Sequence, residues 1–130
     1  MRYLSAAEIV AIHDRILEET QKGLVGVRDE RLLRSITARP AAAFGGVEQF
    51  KTVFEKAAAI FEAIATYHVF LDANKRTAIA AASVFLRANG YQTDLSNEEV
   101  DELILSGAQK QRSIGELAAW LEAHSRKVDT

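Results

Sequence analysis

His68-Val-Phe-Leu-Asp-Ala-Asn-Lys-Arg76 interrupts two runs of helically spaced apolar residues, and that interruption decides the architecture. Upstream, from Val47, the spacing Phe50, Val53, Phe54, Ala57, Ile60, Phe61, Ile64 predicts a long amphipathic helix reaching about Tyr67, with Lys51, Glu55 and Glu62 elsewhere on its circumference. Downstream, Asn74 to Asn89 reads as a helix that is apolar nearly all round between Thr77 and Leu86. That is the pattern of an enclosed central helix, and Gly90 is its expected stop. A helix hairpin buried at the centre of the fold, with a polar loop at its bend, is therefore expected.

The flanks read the same way. Ser5 and Glu8 have capping-box spacing, and Ile9, Ile12, Ile16 and Leu17 form an apolar stripe on a first helix that ends near Thr20, where Gly23 and Gly26 break it. His13, next to Asp14 and Arg15, falls on the polar side of that helix in this reading, on a solvated or subunit-facing surface. A short second helix from about Asp29 carries Leu32, Leu33 and Ile36 before Pro40 stops it. Pro40 to Gly46 reads as a loop, with Gly45-Gly46 arguing against a regular element, and it is placed to form a flap over a neighbouring site. Two further capping boxes, Ser96 with Glu99 and Ser113 with Glu116, open helices carrying Val100, Leu103, Ile104 and then Leu117, Trp120, Leu121. The connection from Tyr91 to Leu95 is too short to count as a sheet. The expected fold is all-α: one compact domain, residues 1–130, a bundle of about six helices around the central hairpin.

Composition narrows the function classes. A hydrophobic content of 48% is that of a globular protein, and a formal net charge of -2 argues against bulk-charge coating of nucleic acid, so any polyanion site must be local. With no cysteine, disulfides and thiolate metal sites are excluded. Thr77 to Leu86 is too short to span a bilayer and Met1-Arg-Tyr-Leu-Ser has no signal-peptide pattern, so a cytoplasmic protein is expected, without membrane or direct nucleic-acid partners.

The loop between the central helices concentrates the chemistry. Asp72 reads as an N-cap that places Asn74, Lys75 and Arg76 in the first helical turn. Cations there face the positive end of the helix dipole at a cost of roughly 0.3–1 kcal/mol each, a sign that a bound phosphate reverses. His68 is the available general base, its alternative being a capping or core histidine. Asp72 has the chemistry of a magnesium ligand, which needs only one or two carboxylates beside phosphate oxygens and water, as well as of a simple cap. Asn74 is either a donor to a phosphate oxygen or an amide that stabilises the loop turn. Lys75 and Arg76 are either phosphate ligands or surface charges. Phe70, an aromatic between polar residues, reads as the anchor pinning the loop to the core.

The run His68-x-Phe70-x-Asp72-Ala73-Asn74-Lys75-Arg76-Thr77 resembles the signature of the Fic/Doc superfamily, and specifically its Doc (death-on-curing) branch. Gly26, Arg28-Asp29, Leu32-Leu33, Arg39-Pro40 and Ala43-Phe44-Gly45-Gly46 resemble the upstream pattern of Doc-like proteins, so the resemblance runs from His13 to about Gly90. It implies a helical toxin of a toxin–antitoxin pair that transfers part of a nucleotide to a protein hydroxyl. Fic enzymes typically transfer AMP, with glycine where this chain has Lys75 and arginine where it has Ile79. Both departures match the Doc pattern, which resembles kinases that phosphorylate a threonine of translation elongation factor Tu with ATP and so arrest translation.

In that reading His68 accepts the hydroxyl proton, Asp72 positions magnesium, and Asn74, Lys75 and Arg76 hold the phosphates of ATP. A lysine in place of the glycine occupies space and adds charge where the diphosphate would otherwise pack, favouring a reversed nucleotide. No Ser or Thr has Glu four residues later, so the self-inhibiting helix of some Fic proteins is missing and the resemblance implies a separate antitoxin, whose disordered tail folds as a helix into an apolar groove. AMP transfer and RNA cleavage by the same histidine and cations are the alternative chemistries.

Overall fold

The computed structural model describes residues 1–21, 23–108 and 112–128. Six helices dominate it: α1 (Ala6–Thr20), α2 (Glu30–Ala38), α3 (Val53–Tyr67), α4 (Asn74–Ala88), α5 (Asn97–Ala108) and α6 (Ile114–Ala123). Three of them begin at capping boxes made by Ser5 with Glu8, Ser96 with Glu99, and Ser113 with Glu116, in which each side chain satisfies the other residue's backbone N–H. Asp29 and Thr52 cap α2 and α3 by accepting from Leu32 and Glu55. The class expected from the sequence, all-α, is the one found.

The hairpin of α3 and α4 forms the centre. These two helices make the most extensive packing in the molecule, α6 covers α3 and α1 lies across α4. Small side chains let the backbones approach: Ala57 and Ala58 on α3 and Ala78, Ala81 and Ala82 on α4 are all buried, as are the larger Phe61, Ile64, Phe85 and Leu86. These residues belong to one apolar cluster that also takes in Ile9, Leu33, Leu103, Leu117 and Leu121. The loop at the bend of the hairpin is thus fastened at both ends to the most deeply packed helices.

Three local expectations are corrected. The helix expected from Val47 starts at Val53; Phe50 keeps helical spacing and is buried, but it lies ahead of the Thr52 cap. Gly45-Gly46 does not forbid a regular element. Both glycines have positive φ, +58° and +81°, and this lets the chain turn back so that β1 (Ala43–Phe44) pairs antiparallel with β2 (Val47–Glu48). The Tyr91–Leu95 connection also contains a strand, β3 (Tyr91–Thr93), which pairs antiparallel with β4 (Ser125–Lys127) and ties the end of the chain to the end of α4. Both sheets have only two strands.

Candidate active site

His68 ends α3 and Asn74 begins α4, so the intervening residues form a tight crossing held from three sides. The first hold is backbone pairing. Val27 and Phe70 form an isolated antiparallel bridge, with Arg28 N–H donating to the Val69 carbonyl at 2.8 Å and Leu71 N–H to the Gly26 carbonyl at 3.2 Å. The second is Asn74, 9% exposed, whose carboxamide oxygen accepts from Phe70 N–H at 2.9 Å while its NH2 donates to the Phe70 carbonyl at 3.0 Å. Of the two roles the sequence left open for Asn74, this geometry displays the loop-stabilising one. Phe70 itself is buried, with 1% exposure.

The third hold comes from α1 and was misread in the sequence. His13 does not lie on a solvated face. It is buried at 1% exposure, stacked flat on Phe70 with ring centroids 3.9 Å apart, and its Nε2 is 2.9 Å from the Asp72 carbonyl oxygen. The signal was present: His13 is four residues from both Ile9 and Leu17, the two other buried residues of α1. The polar neighbours Asp14 and Arg15 masked that register.

Asp72 is not the N-cap of α4. Ala73 occupies that position in the left-handed region, φ 59° and ψ 29°, and no side chain among the described residues caps the helix. The Asp72 carboxylate instead reaches forward one residue, its Oδ1 accepting from Ala73 N–H at 2.8 Å. Its other oxygen lies toward Gly23, where a Cβ would stand 3.1 Å from it. His68 is also left-handed, φ 52° and ψ 53°. Such conformations cost an L-residue roughly 1–2 kcal/mol, and they persist here because the surrounding bonds over-determine the loop.

These constraints turn the functional groups outward. His68, Asp72, Lys75 and Arg76 are all exposed, and with Leu71, Ala73, Asn74 and, from α5, Asp101 and Ile104 they line one cleft of about 540 Å³. The His68 ring, Lys75 and Arg76 have no hydrogen-bond or ion-pair partner among the described residues, and the first turn of α4 contains no acid. Two unpaired cations and an uncapped helix N-terminus share one opening. That is an arrangement for binding an anion. Asp72, Ala73 and Arg76 also border a second cleft of about 290 Å³ with Thr20 and Gly23.

A family model described as the Fic/DOC family matches residues 3–86, which contain the whole of this loop, all of α3 and all but the last two residues of α4. The chain belongs to the Fic/DOC family. Among its relatives is Toxin Doc of Mycolicibacterium smegmatis (strain ATCC 700084 / mc(2)155), 36% identical over 110 residues that cover 83% of this chain and 85% of that protein. Protein kinase doc of Escherichia phage P1 is 35% identical over 118 residues, covering 91% of each. For a Fic/DOC chain, α5 is the part of the cleft wall that sequence reasoning missed: Asp101 and Ile104 lie beyond the matched residues and reach the site only through the tertiary fold. No helix among the described residues is long and apolar enough to cross a membrane.

Proposed function

We propose that this Fic/DOC chain is the toxin of a toxin–antitoxin pair acting in the cytoplasm, and that it moves the γ-phosphate of ATP onto a threonine hydroxyl of a translation factor, elongation factor Tu being the expected acceptor. The observation that carries the proposal is the shared opening: at one end of α3 an imidazole without a partner among the described residues faces the same cleft as two cations, likewise without partners there, at the start of α4. The names of the two relatives, a toxin and a protein kinase, support it.

Phosphoryl transfer needs positioning and charge neutralisation more than covalent machinery. His68 takes the proton of the acceptor hydroxyl as its oxygen bonds to the γ-phosphorus, and the bond from that phosphorus to the bridging oxygen breaks, leaving ADP. Lys75, Arg76 and the first N–H groups of α4 hold the phosphate oxygens. Asn74 serves them indirectly by fixing the loop through Phe70. Asp72 fits magnesium: one carboxylate oxygen is engaged by Ala73 and the other is not, and among the described residues there is no cluster of three His, Cys, Asp or Glu to form a closed protein cage. Magnesium, when bound, neutralises charge on the phosphates. Ile79, where the AMP-transferring pattern carries arginine, is buried at 9% exposure, which favours phosphate over AMP as the group moved. The apolar depression of about 180 Å³ lined by Ile16, Ile79, Ala80 and Val100, with Glu19, Thr20 and Arg76 at its border, has room for an apolar side chain of an antitoxin helix, and such an occupant would touch the phosphate side of the site.

The test is incubation of the protein with purified elongation factor Tu and ATP labelled on either the α or the γ phosphate. Label from the γ position alone, on a threonine, with added RNA intact, is the expected result. Label from the α position makes the protein an AMP transferase, and cleaved RNA with unlabelled protein makes it a nuclease.

A further inference from the structure

Ile9, His13 and Leu17 follow one another at four-residue spacing on the buried face of α1, and the middle member is polar. A leucine would fill that position without the cost of burying an imidazole. What the imidazole gains is remote: its Nε2 is 2.9 Å from the carbonyl oxygen of Asp72, 59 residues along the chain. A carbonyl can only accept, so Nε2 carries a proton and donates it to the Asp72 oxygen. Among the described residues Nδ1 has no hydrogen-bond partner, and the closest carboxylate oxygen, from Asp14, is 3.6 Å away. One nitrogen is left unsatisfied while the other serves the motif loop.

The bond acts on a specific unit. The Asp72 carbonyl and the Ala73 N–H belong to one planar peptide. His13 holds the oxygen edge of that plane, and the Asp72 Oδ1 accepts from its N–H edge at 2.8 Å. A rotation of the plane would therefore carry the carboxylate with it. We propose that His13 is a positioning residue for the phosphate site: by holding the Asp72 carbonyl it sets the direction of the Asp72 carboxylate, leaving the second oxygen free to face the metal and phosphates. This rests on the reading of Asp72 given above, and His13 itself touches neither nucleotide nor acceptor.

The test compares His13→Leu with His13→Gln. Both lack the ring that stacks on Phe70, but glutamine keeps an N–H donor at about the reach of Nε2, so the difference between them reports the hydrogen bond. In full-length protein, hydrogen exchange of the Ala73 amide is expected to quicken by roughly tenfold more in the leucine variant than in the glutamine variant. Phosphate transfer in the leucine variant should fall by about 10–100-fold in kcat, with a raised magnesium requirement and an unchanged KM for the acceptor, and glutamine should restore most of it. Identical behaviour of the two variants in amide exchange overturns the proposal. Should the parent protein transfer no phosphate at all, the functional reading fails instead, and the amide exchange still decides the role of His13.

Discussion

Arg28 donates from Nε to the carbonyl oxygen of His68 at 2.6 Å and from its terminal NH2 to that of Tyr67 at 2.9 Å, so one guanidinium closes the C-terminal end of the helix that presents the candidate base. A cation here faces the negative end of the α3 dipole, and it satisfies carbonyls that the left-handed turn at His68 leaves without helical partners. Arg28→Ala should lower stability by about 1 kcal/mol, discounted for exposure from the usual value for charged hydrogen bonds. Thermal unfolding should register this as a shift of roughly 4 °C. Arg28→Lys, which lacks the fork, should recover less than half.

Gly23 makes a close approach that no side chain can share. Its φ is +103°, and an added Cβ would lie 2.9 Å from Leu17 Cδ2 and 3.1 Å from Asp72 Oδ2. Gly23→Ala therefore combines backbone strain with a collision against a flexible leucine and a functional carboxylate. It should destabilise by more than about 1 kcal/mol and weaken magnesium-dependent ATP binding, measured by calorimetry, more than it weakens binding without the metal.

Much of this was legible because the controlling interactions are short in sequence. The Ser5–Glu8, Ser96–Glu99 and Ser113–Glu116 boxes act within one helical turn, and they mark the starts of three helices in the residues themselves. The central hairpin was legible from apolar spacing, and the loop between its helices from charge where a helix start disfavours it. What escaped was non-local. Phe50 mimics helical spacing from outside the helix, and β3 finds its partner only at the other end of the chain. His13 answers to Asp72 and Phe70, which its own neighbours do not reveal. The cap at Ala73 likewise depends on Asp72 reaching forward to the Ala73 N–H.

Lys56 is an unexpected charge in the core, at 1% exposure. Its Nζ donates to the Pro40 carbonyl at 2.9 Å and to Glu48 Oε1 at 3.1 Å, and it lies 5.6 Å from the centre of the Tyr3 ring. It thereby fastens the β1–β2 hairpin to α3. Removing it leaves a cavity and a buried carbonyl without a donor, so Lys56→Ala should cost about 2–4 kcal/mol. Glu48, half exposed at 52%, regains water when its partner goes, and Glu48→Ala should cost under about 1 kcal/mol. Hydrogen exchange of the hairpin amides should rise in both variants while that of α4 rises only in the first.

Acid should unfold the protein partly through its helix starts. Glu8, Glu99 and Glu116 are each held below the ordinary carboxylate value of 4.5, first by a backbone N–H, from Ser5, Ser96 and Ser113 respectively. Because the folded values lie below the unfolded ones, the folded state binds fewer protons. Their stabilisation is complete above pH 4.5 and is lost as the pH falls from there through the lowered folded values. Glutamine keeps an acceptor for the same backbone N–H but has no proton to gain. A variant with Glu8→Gln, Glu99→Gln and Glu116→Gln together should therefore be less stable than the parent at neutral pH and should show a flatter fall in melting temperature below pH 4.5. Parallel melting curves for the two proteins across that range would remove the capping carboxylates from the account of acid unfolding.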